Sequence, residues 1–167
     1  NMPDQQYNAA TRVYFSDNIR VLAVFYIEDP IKQGVKTAIS NFKEQGLKVV
    51  MLTGDNPATA ASVASMVGIE DYHAQLMPDD KLNWVKKLQA DGEVVGMIGD
   101  GINDAPALAQ ADVGFAMGAG TDVAMESADI TLIHNDLKGV ADVIQISTAT
   151  LRNIKQNLWG AFAYNSL

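Results

Sequence analysis

With 167 residues, 48% of them hydrophobic and 19% charged, the chain suits one compact domain and leaves no room for an entire transport protein. A net charge of −8, from 12 basic and 20 acidic residues, counts against a nucleic-acid partner, which needs a cationic face to displace phosphate counterions. The lack of cysteine excludes disulfides and thiolate metal sites, and fits a reducing, cytosolic setting. The stretch from Asn1 to Thr11 is polar and has no apolar run after basic residues, so no signal peptide opens the sequence. Thr11 to Ser16 and Ile19 to Ile27 are β-rich runs that predict a hairpin turning at Asp17-Asn18. Asp29-Pro30 predicts a helix start, with Asp29 as N-cap and Pro30 at the first position. Ile31, Val35, Ala38, Ile39 and Phe42 then share one face, and Gly46 ends the helix. Leu47 to Thr53 reads as a buried strand, followed by the turn Gly54-Asp55-Asn56-Pro57 and an alanine-rich helix that stops at Gly68.

The unit then repeats. Tyr72 to Leu76 is a short strand, Met77-Pro78-Asp79-Asp80 opens a helix with Leu82, Val85 and Leu88 inward, and Asp91-Gly92 closes it. Val94 to Ile98 is the next strand, and Gly99-Asp100-Gly101 turns into a short helix near Asp104 to Gln110. Val113 to Met117 and Ile130 to Ile133 follow as strands, with a helix over Thr121 to Ser127 between them. Leu137, Val140, Ile144, Ser147, Leu151, Ile154 and Leu158 recur at spacings of three and four, which predicts one long helix reaching the apolar tail Leu158 to Leu167. A bilayer-spanning helix needs about 20 apolar residues. The tail therefore either begins such a span, with Arg152 and Lys155 at its cytosolic flank, or docks as a terminal amphipathic helix. Alternating strands and helices define an α/β fold, a largely parallel Rossmann-like sheet flanked by helices, in which ligands bind at the carboxyl ends of the strands.

Three strand ends and helix starts carry candidate chemistry. In Thr53-Gly54-Asp55-Asn56 the Thr53 hydroxyl and the backbone N–H groups of the turn suit a phosphoryl oxygen at a helix N-terminus, although Thr, Gly and Asp are also ordinary turn formers. Lys81 sits near a helix start, where the dipole disfavours a cation, so a specific partner or a solvated surface position must account for it. Gly99-Asp100-Gly101-Ile102-Asn103-Asp104 packs two carboxylates and an amide into a turn after an apolar strand, a density that suits a hard cation. Magnesium needs one carboxylate together with phosphate and water oxygens, and Asp100 is the candidate ligand, with Asp104 either orienting the cluster from behind or acting as a plain N-cap. Asp112, at the end of the short helix, reads as a surface position away from this cluster. His73 and His134 are isolated from each other and read as surface or strand-end residues, while Met51, Met97 and Met117 fall inside strands as core packing. Gly118-Ala119-Gly120-Thr121-Asp122-Val123 begins like a dinucleotide loop but has Val123 in place of the third glycine, and reads as a turn capping a helix.

The order Thr-Gly-Asp-Asn at 53–56, Pro78-x-x-Lys81, then Gly99-Asp100-Gly101-Ile102-Asn103-Asp104-Ala105-Pro106-Ala107-Leu108 resembles the haloacid-dehalogenase-like phosphorylation domain of P-type ATPases. The Ala-Pro-Ala-Leu-Ala-Gln-Ala-Asp stretch and Tyr164-Asn165 resemble the heavy-metal branch, and the Tyr-Asn pair its copper(I) and silver(I) exporters. Zinc and cadmium relatives resemble each other in having a lysine in that helix. The resemblance implies that Thr53 touches the transferred phosphoryl group, Lys81 neutralises it, Asp100 binds Mg2+, Asn103 and Asp104 complete the site, and Gly54 and Asp55 shape the phosphate loop. It implies Asp29 at the hinge to the nucleotide-binding domain and Tyr164 and Asn165 at the transported copper(I). It further implies ATP as phosphate donor, and residues 1–27 closing the nucleotide-binding domain with a hinge hairpin. Residues 28–150 then form the phosphorylation portion on the cytosolic face of a membrane protein, and 151–167 run into a transmembrane segment. One departure is serious. The Asp-Lys-Thr-Gly-Thr motif, whose Asp takes the phosphate, is absent from this sequence, so the fold expected is a core missing its nucleophile strand, and the chain alone is expected to be inactive. A free-standing phosphatase and a non-catalytic phosphate- or magnesium-binding module of the same superfold are the alternatives.

Overall fold

The computed structural model describes residues 11–16, 20–27, 31–118 and 121–165, over which strands and helices alternate as the apolar periodicity predicts. The first pair, β1 (Thr11–Ser16) and β2 (Val21–Ile27), is antiparallel, with Thr11 opposite Ile27 and a register shift at Phe15/Ser16. Ser16 faces Val21, so the connection spans residues 17–20; the predicted turn at Asp17-Asn18 lies outside the described residues.

Helix α1 (Val35–Glu44) begins later than the Asp29-Pro30 signal predicts. Its N-cap is Gly34 at φ 86°, a left-handed conformation that glycine adopts without strain, and the turn this creates delays the helix to Val35. Asp29 and Pro30 themselves lie outside the described residues. The predicted apolar face survives the shift: Ala38, Ile39 and Phe42 are buried, and Ile31 and Val35 pack beside them. Helix α2 (Pro57–Val67) has the expected punctuation, with Asn56 as N-cap, Pro57 at the first position and Gly68 left-handed at the end. Helix α3 (Pro78–Ala90) buries Val85, and Asp80 accepts a hydrogen bond from the Met77 N–H at 2.9 Å.

The remaining strands are shorter than their apolar runs. They are β3 (Val50–Leu52), β4 (Asp71–His73), β5 (Gly96–Gly99), β6 (Val113–Ala116) and β7 (Ile130–Thr131). A ladder lasts only as long as its partner, so Leu47, Val94 and Ile133 fall outside pairing, and Val94 and Ile133 are 85% and 88% exposed. Strand β3 pairs with β4 in parallel, Met51 opposite Tyr72, while β5, β6 and β7 form a separate parallel sheet, Ile98 opposite Phe115 and Phe115 opposite Ile130. Among the described residues no strand joins β3 to β5.

Burial follows this split. The central β6 is almost wholly buried, whereas β3 and most of β5 are only half-buried. Met117 is a core residue as expected, but Met51 and Met97 are not fully enclosed, because the strands that carry them border the break. The main core gathers Ala38, Ile39 and Phe42 with Val67, Phe115, Met117, Leu132, Val140 and Ala141. Full burial of each large apolar side chain contributes about 1.5–3 kcal/mol.

Between β5 and β6 lie a 3₁₀ turn (Ile102–Asp104) and helix α4 (Ala105–Gln110), and α5 (Asp122–Ser127) is capped by the Thr121 hydroxyl as predicted. The final helix, α6 (Leu137–Asn165), packs on the core through Val140 and Ala141 and is exposed from Leu151 to Phe162. Among the described residues no helix is long and apolar enough to cross a membrane.

Candidate functional site

Two groups of polar side chains stand at the carboxyl ends of β3 and β5, on opposite sides of the break. Thr53 follows β3 and is held through its backbone: its N–H donates to the His73 carbonyl at 2.9 Å, and its carbonyl accepts from Leu76 N–H at 3.0 Å. Its hydroxyl donates to Asp55 Oδ2 at 2.9 Å and accepts from the Asp55 N–H at 3.1 Å, which closes a tight loop. The Gln75 N–H donates to the Asp55 carbonyl at 2.8 Å, and Gln75 takes a left-handed φ of 57° to do so. A Cβ at Gly54 would lie 3.5 Å from the Leu76 carbonyl, an ordinary contact. Gly54 is therefore not forced by packing; the small residue leaves the loop's backbone open to a ligand. Asn56 accepts from the Thr59 N–H at 3.0 Å, which orients the α2 N-terminus behind the loop.

The second group is tighter. Lys81 Nζ lies 2.7 Å from Asp104 Oδ1, with side-chain exposures of 15% and 12%. This pairing accounts for a lysine in the first turn of α3, where the helix dipole opposes it. Removing one partner of such a pair leaves a buried charge and costs about 3–5 kcal/mol. Asp104 ends the 3₁₀ turn, where its Oδ2 accepts from the Gly101 N–H at 3.4 Å. A Cβ on Gly99 would meet Asp104 Cβ at 2.6 Å, so glycine at the end of β5 is what admits the carboxylate.

Asp100 behaves differently. It is exposed, its backbone carbonyl accepts from the Thr121 N–H at 3.1 Å, and among the described residues its carboxylate has no hydrogen-bond or ion-pair partner. Asn103 is exposed on the turn beside it. Among the described residues no three His, Asp or Glu converge as a metal cage. The donor set nevertheless fits magnesium, which takes one or two carboxylates and draws its other oxygens from phosphate and water. Asp100 is the free carboxylate, while Asp104 is committed to Lys81.

Three contacts were not expected. His73 ends β4, as the strand-end reading has it, and its ring also stacks on Trp84 at 3.8 Å between centroids while its Nε2 lies 3.1 Å from Asp71 Oδ1. Asp112 is exposed as predicted but is not idle, since it accepts from the Val95 N–H at 2.8 Å and from Gln89 Nε2 at 3.2 Å. These bonds hold its carboxyl below the usual aspartate range, the Val95 bond first and the Gln89 bond next. Gly114 donates to Asp129 Oδ2 at 2.8 Å, and a Cβ there would meet the Leu108 carbonyl at 2.8 Å. Apart from the His73–Asp71 pair, these join residues 11 or more positions apart, or, for Gly114 and Leu108, elements that only the fold packs together, so no local pattern announces them. Tyr164 lies in the last turn of α6 and is 83% exposed, and Asn165 is the final residue of that helix.

The sequence and the coordinates have relatives. Residues 2–112 match the haloacid dehalogenase-like hydrolase family, and residues 81–144 match a second family of the same description. Over 94% of its length the chain is 48% identical to the "Probable copper-importing P-type ATPase A" of Enterococcus hirae, and over 87% it is 52% identical to "Copper-transporting ATPase 2" of Rhizobium meliloti. It spans only 22% and 18% of those proteins. A zinc-transporting PIB-type ATPase, solved in its E2.Pi state, superposes with a TM-score of 0.82 at 43% identity, over 92% of this chain and 25% of that one.

Proposed function

Because this chain belongs to the haloacid dehalogenase-like hydrolase family, we propose that it is the C-terminal part of the phosphorylation domain of a heavy-metal P-type ATPase that carries copper(I). The single observation that carries this reading is the buried Lys81–Asp104 pair beside an Asp100 without a partner, at the end of a strand whose outer edge is unpaired, both among the described residues. A strand inserted between β3 and β5 would bring its terminal residue between Thr53 on one side and Asp100 on the other. In this reading that strand belongs to an N-terminal portion of the same protein and ends in the aspartate that takes the phosphate from ATP. Lys81 then offsets phosphoryl charge, the Thr53 hydroxyl and the loop N–H groups orient its oxygens, Asn103 borders the site, and Asp104 keeps Lys81 aimed. Phosphoryl transfer relies mainly on this positioning and charge stabilisation. Magnesium bound at Asp100 would supply the positive charge that lets a carboxylate approach a phosphate.

Residues 1–27 would close the nucleotide-binding domain through the β1–β2 hairpin, 28–150 would form the cytosolic phosphorylation portion, and 151–167 would lead into the membrane. Tyr164 and Asn165, on that last stretch, would meet the transported ion. Copper is favoured by the names of the curated relatives, which include both importing and exporting proteins. The fit to a zinc-transporting structure favours a second reading, zinc as cargo.

The test is phosphoenzyme formation in the full-length ATPase containing this chain, with labelled ATP and varied magnesium. Acid-stable, hydroxylamine-sensitive label should appear and depend on magnesium. Asp100→Asn should lower the initial rate by about 10²-fold, the usual cost of one key electrostatic group. An unchanged rate would return Asp100 to a plain turn residue. Stimulation by copper(I) but not zinc decides the cargo.

A further inference from the structure

Trp84 lies three residues beyond Lys81 on α3, and its ring stacks on the imidazole of His73, with centroids 3.8 Å and planes 22° apart. His73 ends β4, and its carbonyl accepts the Thr53 N–H at 2.9 Å. One residue thus holds the Thr53 loop with its backbone and α3 with its ring. Helix α3 packs chiefly on α4 and the 3₁₀ turn, which belong to the β5 side of the break, whereas β4 pairs with β3 on the other side. The stack therefore joins an element on one side of the break to an element on the other. We propose that the His73–Trp84 stack sets the position of Lys81 relative to Thr53, which makes His73 and Trp84 positioning residues for the phosphoryl site. This rests on the reading that Thr53 and Lys81 grip one phosphoryl group.

The charges around the stack make its action observable. His73 Nε2 is 3.1 Å from Asp71 Oδ1, and Lys48 Nζ is 3.6 Å from Asp71 Oδ2. On α3, Lys87 Nζ lies 4.4 Å from the Trp84 ring centroid, and Asp80 borders the same cleft beside Trp84. Protonating His73 strengthens its attraction to Asp71 and to the Trp84 ring, while Lys87 already draws on that ring and opposes a second cation. The His73 ring's own resonances give the curve against which the amides are compared. The other histidine, His134, is identified by its own ring resonances.

Amide resonances of the 167-residue chain, followed through the imidazole titration, test the proposal. In the unmodified chain, Lys81 and Asp104 on one side and Thr53 and Asp55 on the other should follow the His73 ring curve. His73→Phe keeps a ring in the stack and removes the charge, so both sets should stop titrating. Trp84→Phe should preserve the response at Lys81; Trp84→Leu should abolish it there and leave it at Thr53. A Lys81 amide that ignores pH in the unmodified chain, or still follows the curve in His73→Phe or Trp84→Leu, overturns the proposal. Should Trp84→Leu lose spectral dispersion and fail to fold, the comparison between His73→Phe and the unmodified chain decides alone. The Asp100 phosphorylation assay judges the phosphoryl reading without reference to His73, so the two fail separately.

Discussion

Two aspartates four residues apart in Gly99-Asp100-Gly101-Ile102-Asn103-Asp104 have opposite surroundings. Asp104 is buried against Lys81, while Asp100 is exposed without a partner among the described residues. A carboxylate already neutralised by an ammonium 2.7 Å away has little left to offer a cation; an unpaired one does. Gly99 makes the arrangement possible, because any side chain there would collide with Asp104 Cβ. Gly99→Ala should therefore lower stability by about 1–3 kcal/mol, the common cost of overpacking a filled site. It should also push Asp104 away from Lys81. Denaturant midpoints check the first effect and the Lys81 ammonium resonance the second. A wild-type midpoint in the variant would mean that the turn shifts freely, and that Gly99 is not what seats the pair.

At the scale of elements, α3 is tied to its surroundings by polar side chains as much as by its apolar face. Gln89 Nε2 donates to the Gln110 carbonyl at 3.0 Å, Gln110 Nε2 returns a bond to Gln89 Oε1 at 2.9 Å, and Asp112 joins Gln89 to the Val95 N–H ahead of β5. Asp112 has its pKa lowered in the folded chain, so the unfolded chain binds its proton more readily and folding is favoured wherever Asp112 is ionised. That contribution is complete above the unfolded-state value and is lost as pH falls through the folded one. Melting temperatures of the unmodified chain should consequently fall more steeply than those of Asp112→Asn between about pH 5 and about pH 3. Parallel curves would show that Asp112 contributes nothing pH-dependent. The expectation that this residue is a neutral surface position overlooked Val95, to which it is joined only by the fold.

For the molecule as a whole, the described strands fall into separate sheets, with none joining β3 to β5 among the described residues. On the proposed reading the phosphate-accepting carboxylate stands between β3 and β5, and the sequence contains no Asp-Lys-Thr-Gly-Thr to supply it. The isolated chain, incubated with labelled ATP and magnesium, should acquire no acid-stable phosphate; stoichiometric labelling would show a different nucleophile. The end of α6 is unusually apolar for an exposed helix. Leu151, Ile154, Leu158, Trp159 and Phe162 are all exposed, a density of apolar surface that water-facing helices avoid. In the full-length ATPase, replacing Tyr164 or Asn165 should weaken copper(I)-stimulated turnover and leave phosphoenzyme formation from ATP intact. Unchanged copper stimulation would remove both residues from the ion's path.

Much of this was determined by the sequence itself. The alternation of apolar runs with turn residues defined an α/β chain, Asn56-Pro57 and Gly68 bounded α2, and the order of Thr53, Lys81 and Asp100 pointed to the family, because caps, periodicity and short motifs are local properties of the chain. What tertiary structure alone decided is non-local. Strand ends depend on how long the partner runs, which is why Val94 and Ile133 left their strands. The α1 start moved to Val35 because the left-handed turn at Gly34 overrode the Asp29-Pro30 signal. The opposite surroundings of Asp100 and Asp104, and the link from Thr53 through His73 and Trp84 towards Lys81, required residues 11 to 23 positions apart to meet. Those contacts depend on distance and burial in three dimensions, and residue spacing along the chain encodes neither.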